Sequence, residues 1–534
     1  MHKTFAVICG LCLSTISAFG FENPEDVAMR GIKPEAIRAH VKFLADDLLE
    51  GRGTGARGYD IAAKYIAAQF EAMGLEPAGV DGTFFQPIHF RSAVVVPEET
   101  TLKVVRNGQE ETLIWGQDYY SNGDVSQSAS QISGQIVYVG YGVTAPDFGI
   151  DDFKALDVRS KIIAFIQGAP ASLPQAERAH YGNMRTKLDN AAAHGAIGAI
   201  RVWDSSGERA APFAQGLRAS DSPTMAWLGQ GGSPNGPQIR RLAVMSEAGT
   251  KKLFGGALSP DKTASMPALD LLFRTTSRRS EVTSSNVAAV LRGSDTKSRE
   301  EYVVYTAHAD HLGIGQPVNG DSIYNGAADN ALGTAALIEI ARAFAQLEQR
   351  PQRSVLFLAV TGEEKGLLGS DYFAEYPTVP RSQITANVNM DGVNARFDFR
   401  EVVMEGSEHS SLGQIAAVAT SKMGLKIAPD LEPEQQYFVR SDQYSFVRRG
   451  IPAIWQFKAT QATDSSVDAA KVNAEYARSR YHMPSDDLNQ IFDWQAAAKS
   501  TKLNFLIGYL IAQDPARPNW NAGDFFGKTF GNAK

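Results

Sequence analysis

Val303-Val304-Tyr305-Thr306-Ala307-His308-Ala309-Asp310 decides the fold. The mostly apolar run Val303 to Ala307 reads as a strand buried on both faces. Such a strand belongs inside a sheet covered by helices. His308 and Asp310 then stand just past its carboxyl end, where sheets of this kind bind ligands. The same pattern repeats downstream. Asn330 to Phe344 reads as a helix, with Leu332, Ala336, Ile340, Ala343 and Phe344 inward. Val355 to Val360, Ile384 to Asn389 and Ile454 to Phe457 read as further strands. Strand and helix in alternation predict an α/β domain, a mixed and mostly parallel sheet with helices on both faces.

Upstream, residues 34 to 73 read as two helices around a Gly-rich run, Glu50-Gly51-Arg52-Gly53-Thr54-Gly55. Pro34 suits a first turn, and Ile37, Val41, Phe43 and Leu44 mark one apolar side. The second helix runs from about Tyr59 to Met73 with Ala62, Ile66 and Phe70 on its stripe, and Gly74 ends it. From about residue 126 short strands dominate: Ile132 to Val143, Lys161 to Ile166 and Ile197 to Val202, with a helix at Lys187 to His194. The expected organisation is a leader over 1–20, the α/β domain over 21–125 and 269–534, and a β-rich insert over 126–268.

The chain has 534 residues, which favours two or three domains over one core. Its net charge is −7, from 52 basic and 59 acidic residues. That balance, without a long Lys/Arg run, argues against nucleic acid and against an anionic membrane surface as partners. No stretch after the N-terminus approaches the ~20 apolar residues of a membrane span. The first twenty residues read as a secretory signal: His2 and Lys3, an apolar run from Phe5, then Ala18-Phe19-Gly20, with cleavage expected after Gly20. The only two cysteines, Cys9 and Cys12, fall inside it. The mature chain then has no disulfide and must be stable through its core. The expected location is periplasmic or secreted.

Five side chains carry the chemistry: His308, Asp329, Glu364, Asp391 and His482. His308, Glu364 and Asp391 each follow a predicted strand, so three strand ends deliver metal-ligating groups to one edge. Asp329 precedes a helix, where backbone dipoles favour an anion. Asp310 is near enough to fix the His308 tautomer with its carboxylate. His311 is assigned to structure rather than ligation. Glu363 beside Glu364 is the expected base. Tyr481 either points its hydroxyl at an oxyanion or packs, and the local sequence does not choose. Mixed imidazole and carboxylate ligands suit zinc, with manganese or cobalt as alternatives.

These segments together resemble peptidase family M28, the co-catalytic zinc aminopeptidases. The resemblance rests on Thr306 to Gly313, Gly326 to Gly333, Thr361-Gly362-Glu363-Glu364, Asn389-Met390-Asp391 and Tyr481 to Asp486, in that order. Phe43 to Gly74 is similar to the start of the family's domain. Asp189 to Ala196 is similar to the protease-associated (PA) insert of some members. The resemblance implies the zinc-dependent exopeptidase fold and two zinc ions, with peptides as substrates. Asp329 would bridge them, His308 and Asp391 would complete one site, and Glu364 and His482 the other. Glu363 would be the general base, Tyr481 would contact the tetrahedral intermediate, and the peptide after Asp329 would be cis. An aminopeptidase is the implied activity. Carboxypeptidases, glutaminyl cyclases and receptor-like relatives share the scaffold. Ala328, Leu332 and Gln443 depart from the residues many members carry there.

Overall fold

The computed structural model describes residues 22–210, 212–256, 258 and 264–531. The expected leader lies outside the described residues. Four parallel strands form the middle of the main sheet, in the spatial order Ala453–Ala462, Ile384–Asn389, Tyr302–His308 and Ser354–Val360. Phe399–Glu405 flanks them antiparallel on one side. The end of the long strand Ala264–Leu291 flanks them antiparallel on the other.

The strand alternation feeds two separate cores. Val303, Tyr305, Phe357 and Ala359 pack with the helices Pro34–Leu44, Arg57–Ala72, Leu332–Ala345 and Trp494–Gln513. Val304, Leu356 and Leu358 pack instead with Phe373 of Leu368–Glu375 and Phe446 of Gln443–Val447. A slip of one residue would exchange the faces of a whole strand. Since each buried aliphatic or aromatic side chain contributes roughly 1.5–3 kcal/mol, the register is firmly set. The expected α/β architecture is the one observed. Phe43, expected inward, is instead partly exposed and stacks on Tyr65 at 4.1 Å. His40, Val41 and Leu44 occupy the buried stripe of its helix.

The strand Ala264–Leu291 joins two sheets. Its first half pairs with Thr101–Arg106 and Ala129–Tyr138. Beyond Ala129–Tyr138 lie Ile162–Phe165, Gly198–Arg201 and Arg241–Met245, all parallel. The second half pairs with Phe85–Val95 and then Ser354–Val360. The expected boundary at 268/269 therefore falls inside one strand, and the hairpin Thr101–Arg106 with Gln109–Leu113 lies on the β-rich side. Arg278 to Glu281 are exposed and polar although the ladder runs through them, so composition carries no trace of this continuity. Among the described residues no helix is long and apolar enough to cross a membrane.

Candidate metal centre and active site

All the strand-end acids and His308 arrive at the carboxyl edge of the main sheet. His308 is the last residue of Tyr302–His308. Glu363 and Glu364 follow Ser354–Val360 across the turn Thr361-Gly362, and Asp391 follows Ile384–Asn389. Asp329 lies in the irregular turn Ala327–Ala331 that opens the helix Leu332–Ala345. The Asp329–Asn330 peptide is cis, as the family resemblance implies. His482 lies beyond the helix Ala469–Ser479, in a left-handed conformation with φ 57°.

The two oxygens of Asp329 face different imidazoles. His308 Nε2 lies 3.2 Å from Asp329 Oδ1 and 3.3 Å from Asp391 Oδ1. His482 Nε2 lies 3.3 Å from Asp329 Oδ2 and 3.2 Å from Glu364 Oε2. One carboxylate thus sits between two half-sites, each completed by one imidazole and one further acid. Glu363 joins them, with polar atoms of His308, Glu363 and Glu364 within 4.8 Å of one another.

This donor set fits divalent cations. His308 Nδ1 lies 3.1 Å from the backbone carbonyl of Asp310. A carbonyl only accepts, so that nitrogen carries the hydrogen, and Nε2 is left to face two carboxylates, as a donor when the ring is charged and as a metal ligand when it is neutral. A divalent cation among these groups would take the place of the shared protons. Glu364 Oε1 and both ring nitrogens of His311 are buried without a hydrogen bond of normal geometry, although Glu364 Oε1 and His311 Nδ1 are 2.6 Å apart. Imidazole with carboxylate in this proportion suits zinc.

Asp310 corrects one expectation. Its backbone carbonyl, rather than its carboxylate, meets the His308 ring. The carboxylate points toward the neighbouring strand end, where it accepts from Glu363 N at 3.2 Å and Thr54 Oγ1 at 2.9 Å. After His308 the chain turns so that the carbonyl faces back and the side chain forward. His311, read as structural, is fully buried against Glu364.

Electrostatics pull the acids apart. Burial raises the Glu363 carboxyl, and Asp391, Glu364 and Asp442 add to it, while His308 pulls back; the net position is well above the ordinary value. Burial acts in the same sense on Asp329, but His308, His482 and His311 outweigh it and hold this carboxyl well below the usual range. Glu364 is likewise lowered, burial being overcome by His482 and His311. Burial lowers His482, yet Glu364 and Asp329 raise it to about 9. His308 is raised well above its ordinary value, with Asp391 and Glu363 overcoming burial. Two adjacent acids, Glu363 and Glu364, are thereby driven in opposite directions, the pattern of a proton carrier beside a permanent anion.

Three supporting residues, Asp486, Asn330 and Gln443, carried no role in the sequence. Asp486 accepts from Ala328 N at 3.1 Å and Asp329 N at 3.0 Å, so it holds the backbone of the central acid. Its signal was present, four residues beyond His482. Asn330 donates to Met390 O and accepts from Gly333 N, joining the Asp329 turn to the Asp391 loop. Gln443 is fully buried and accepts from Asn389 at 2.7 Å, two residues before Asp391. Tyr481 stacks on His482 with centroids 3.9 Å apart. Desolvation in the cleft, with Asp329 and Glu364, keeps its hydroxyl protonated well beyond the ordinary range.

Asp329, Glu363, Glu364, Asp391 and His482 line a cavity of about 1740 Å³. One wall is aromatic: Tyr437, Phe457 and Trp455, with centroid separations of 4.3 and 4.5 Å. Trp455 Nε1 donates to the Asp391 carbonyl at 2.8 Å, which ties that wall to the floor. The opposite wall comes from the β-rich side, including Pro212 and Asp221. Gln316 Nε2 reaches Asp221 Oδ2 across the rim at 3.2 Å.

Residues 286–507 match the model of peptidase family M28. That segment of the chain is similar to the M28 peptidases. It contains all five converging ligand candidates and Glu363. A "Probable zinc metalloprotease" of Pyrenophora tritici-repentis (strain Pt-1C-BFP) is 28% identical over 271 residues, 44% of this chain and 53% of that one. "Aminopeptidase NAALADL1" of Mus musculus is 35% identical over 114 residues, 20% of this chain and 14% of that one. The chain spans about half the length, or less, of the curated relatives it matches. Among solved structures, "Aminopeptidase from Aneurinibacillus sp. strain AM-1" superposes with a TM-score of 0.55 at 18% identity, over 92% of this chain and 97% of that one. The fold of that aminopeptidase is thus shared along nearly the whole chain.

Proposed function

We propose that this chain is a di-zinc aminopeptidase that removes N-terminal residues from peptides, and that it is exported to the periplasm or beyond. The observation that carries the proposal is Asp329, whose two oxygens face His308 and His482 separately. His308 and Asp391 would hold one ion, Glu364 and His482 the other, with Asp329 shared. Such a pair of cations supplies a water of lowered pKa and a Lewis acid for the peptide carbonyl. Glu363 accepts the proton of the attacking water and returns it to the leaving amine. The Tyr481 hydroxyl, protonated and at the cavity wall, donates to the developing oxyanion. Carboxylates at the floor attract a substrate ammonium, which favours a free N-terminus over a free C-terminus next to the scissile bond.

The β-rich residues 126–268, extended by the hairpin 101–113, are proposed as a PA-like insert that roofs the cleft. Export rests on the leader over 1–20, and N-terminal sequencing of the exported protein is expected to begin at Phe21. For the activity, the test is a panel of amino-acid amides and dipeptides with free and acetylated N-termini. Cleavage of the free forms alone is expected. Equal cleavage of acetylated substrates, or release of C-terminal residues, would overturn the aminopeptidase assignment.

A further inference from the structure

The Gly-rich run Glu50 to Gly55 takes no part in the proposed chemistry, yet it is wedged against the floor of the site. Three consecutive residues, Glu50, Gly51 and Arg52, are left-handed, with φ of 51°, 66° and 50°. A side chain at Gly51 would put its Cβ 2.4 Å from Tyr324 O and 2.6 Å from Gly313 O. Only glycine fits there. Gly53 forms a bridge with His311, and His311 N donates to Arg52 O at 3.2 Å. The run therefore lies between the segment that carries His308 and the segment that leads to Asp329.

From this position Arg52 reaches both. It is fully buried. Its Nε donates to Ala309 O at 2.9 Å, next to His308. Its Nη1 donates to Asn325 O at 2.6 Å and to Leu44 O, and its Nη2 to Gly326 O at 2.9 Å, three residues before Asp329. A planar guanidinium holds these directions fixed; an ammonium on a flexible stem does not. Thr54 acts on the third segment. Its Oγ1 donates to Asp310 Oδ2 at 2.9 Å, while Asp310 Oδ1 accepts from Glu363 N at 3.2 Å. The Thr54 methyl also packs near the Gly362 turn that precedes Glu363. The charge of Arg52 is opposed by Asp310, Asp486, Asp329 and Glu364.

We infer that Arg52 and Thr54 are positioning residues: the Gly-rich run is a brace that sets the spacing of the His308, Asp329 and Glu363 segments and so the affinity and alignment of the metal pair. This rests on the metallopeptidase proposal above. Groups that orient ligands from behind typically change metal affinity or activity by about 10–100-fold when removed.

The test uses the full-length protein and zinc alone, titrated against a fluorescent chelator, with kcat and KM measured in parallel. Thr54→Val keeps the shape and removes the donor; Thr54→Ser keeps the donor. We expect Thr54→Val to lower kcat at saturating zinc about 10-fold, with KM within about twofold and Thr54→Ser near wild type. Arg52→Lys keeps the charge but not the fork, and zinc affinity is expected to fall by about 10–100-fold. If Arg52→Lys does not fold, the Thr54 pair decides. Wild-type zinc affinity and kcat in both Thr54→Val and a folded Arg52→Lys would overturn the brace alone. A wild-type protein that takes up no zinc would overturn the metallopeptidase proposal, and the brace with it.

Discussion

The two halves of the molecule bury charge in opposite ways. In the α/β half, His308, Asp310, Asp329, Asp486 and Arg52 are all buried at one sheet edge. In the β-rich half, Lys187 and Asp124 are buried apart from each other rather than gathered in one cluster. Lys187 donates to Tyr141 O and lies over the rings of Tyr141 and Phe165. Burial lowers it to about 7, so it can shed its charge rather than gather partners. Arg240 reaches Asp124 at 2.5 Å as a single pair. A lone buried ion is tolerated by neutralisation or one partner. A crowd of carboxylates around two imidazoles is not cheaply tolerated, and its retention points to cations and chemistry.

The largest effect expected from this contrast is on turnover. Glu363→Ala should lower kcat by about 10²–10⁴-fold, the range for losing a general base, and leave zinc bound. Lys187→Met, equally buried but in the other half, should leave kcat unchanged. Steady-state kinetics with metal analysis checks both. Near-normal peptidase activity in the Glu363 variant would break the assignment.

Chelation should separate the halves next. A ligand present at about 1,000 times its Kd stabilises the folded state by about 4 kcal/mol. Its removal should lower Tm and raise hydrogen exchange in 306–313, 326–334 and 361–366. The strands Ile162–Phe165 and Gly198–Arg201 should keep their protection. Uniform loss of protection would mean that the two halves are not energetically distinct.

The contrast also explains what was legible beforehand. Val355 to Val360 and Ile384 to Asn389 are buried on both faces, so their apolar runs marked the sheet, and the acids after them marked its edge. The Asp310 side chain was misplaced because its direction depends on the turn after His308, which no local pattern encodes. Arg52 was invisible as a partner of Ala309, Asn325 and Gly326, because backbone carbonyls carry no sequence signature. The boundary at 268/269 fell inside the strand 264–291 because its polar middle carries no strand pattern, although backbone pairing continues through it.

Acid should act at the seam between the halves. His180 comes from the β-rich side and its Nδ1 lies 2.8 Å from the hydroxyl of Tyr444 in the α/β half. Burial, then Arg448, lowers its pKa from 6.5 to about 4. The unfolded chain therefore binds this proton first, between about pH 6.5 and 4. Stability rises with pH across that window and falls as the solution is acidified. The fall from 6.5 to about 4 bounds this contribution at roughly 3.4 kcal/mol. In His180→Gln this part of the pH dependence should vanish, read as Tm against pH from 4 to 7. An unchanged slope would remove His180 from the seam's energetics.

The smallest effect belongs to an ion pair that water reaches. Arg478 and Glu475 are joined on the helix Ala469–Ser479, one turn before Tyr481, with both side chains more than half exposed. In high dielectric such a pair gains little and costs side-chain freedom, so Glu475→Ala should change stability by no more than about 0.5 kcal/mol. The zinc titration should be unaffected. A loss several times larger in the variant's denaturant midpoint would mean that this helix end is coupled to the metal centre. The line between buried and exposed charge would then have to be redrawn one turn further out from His482.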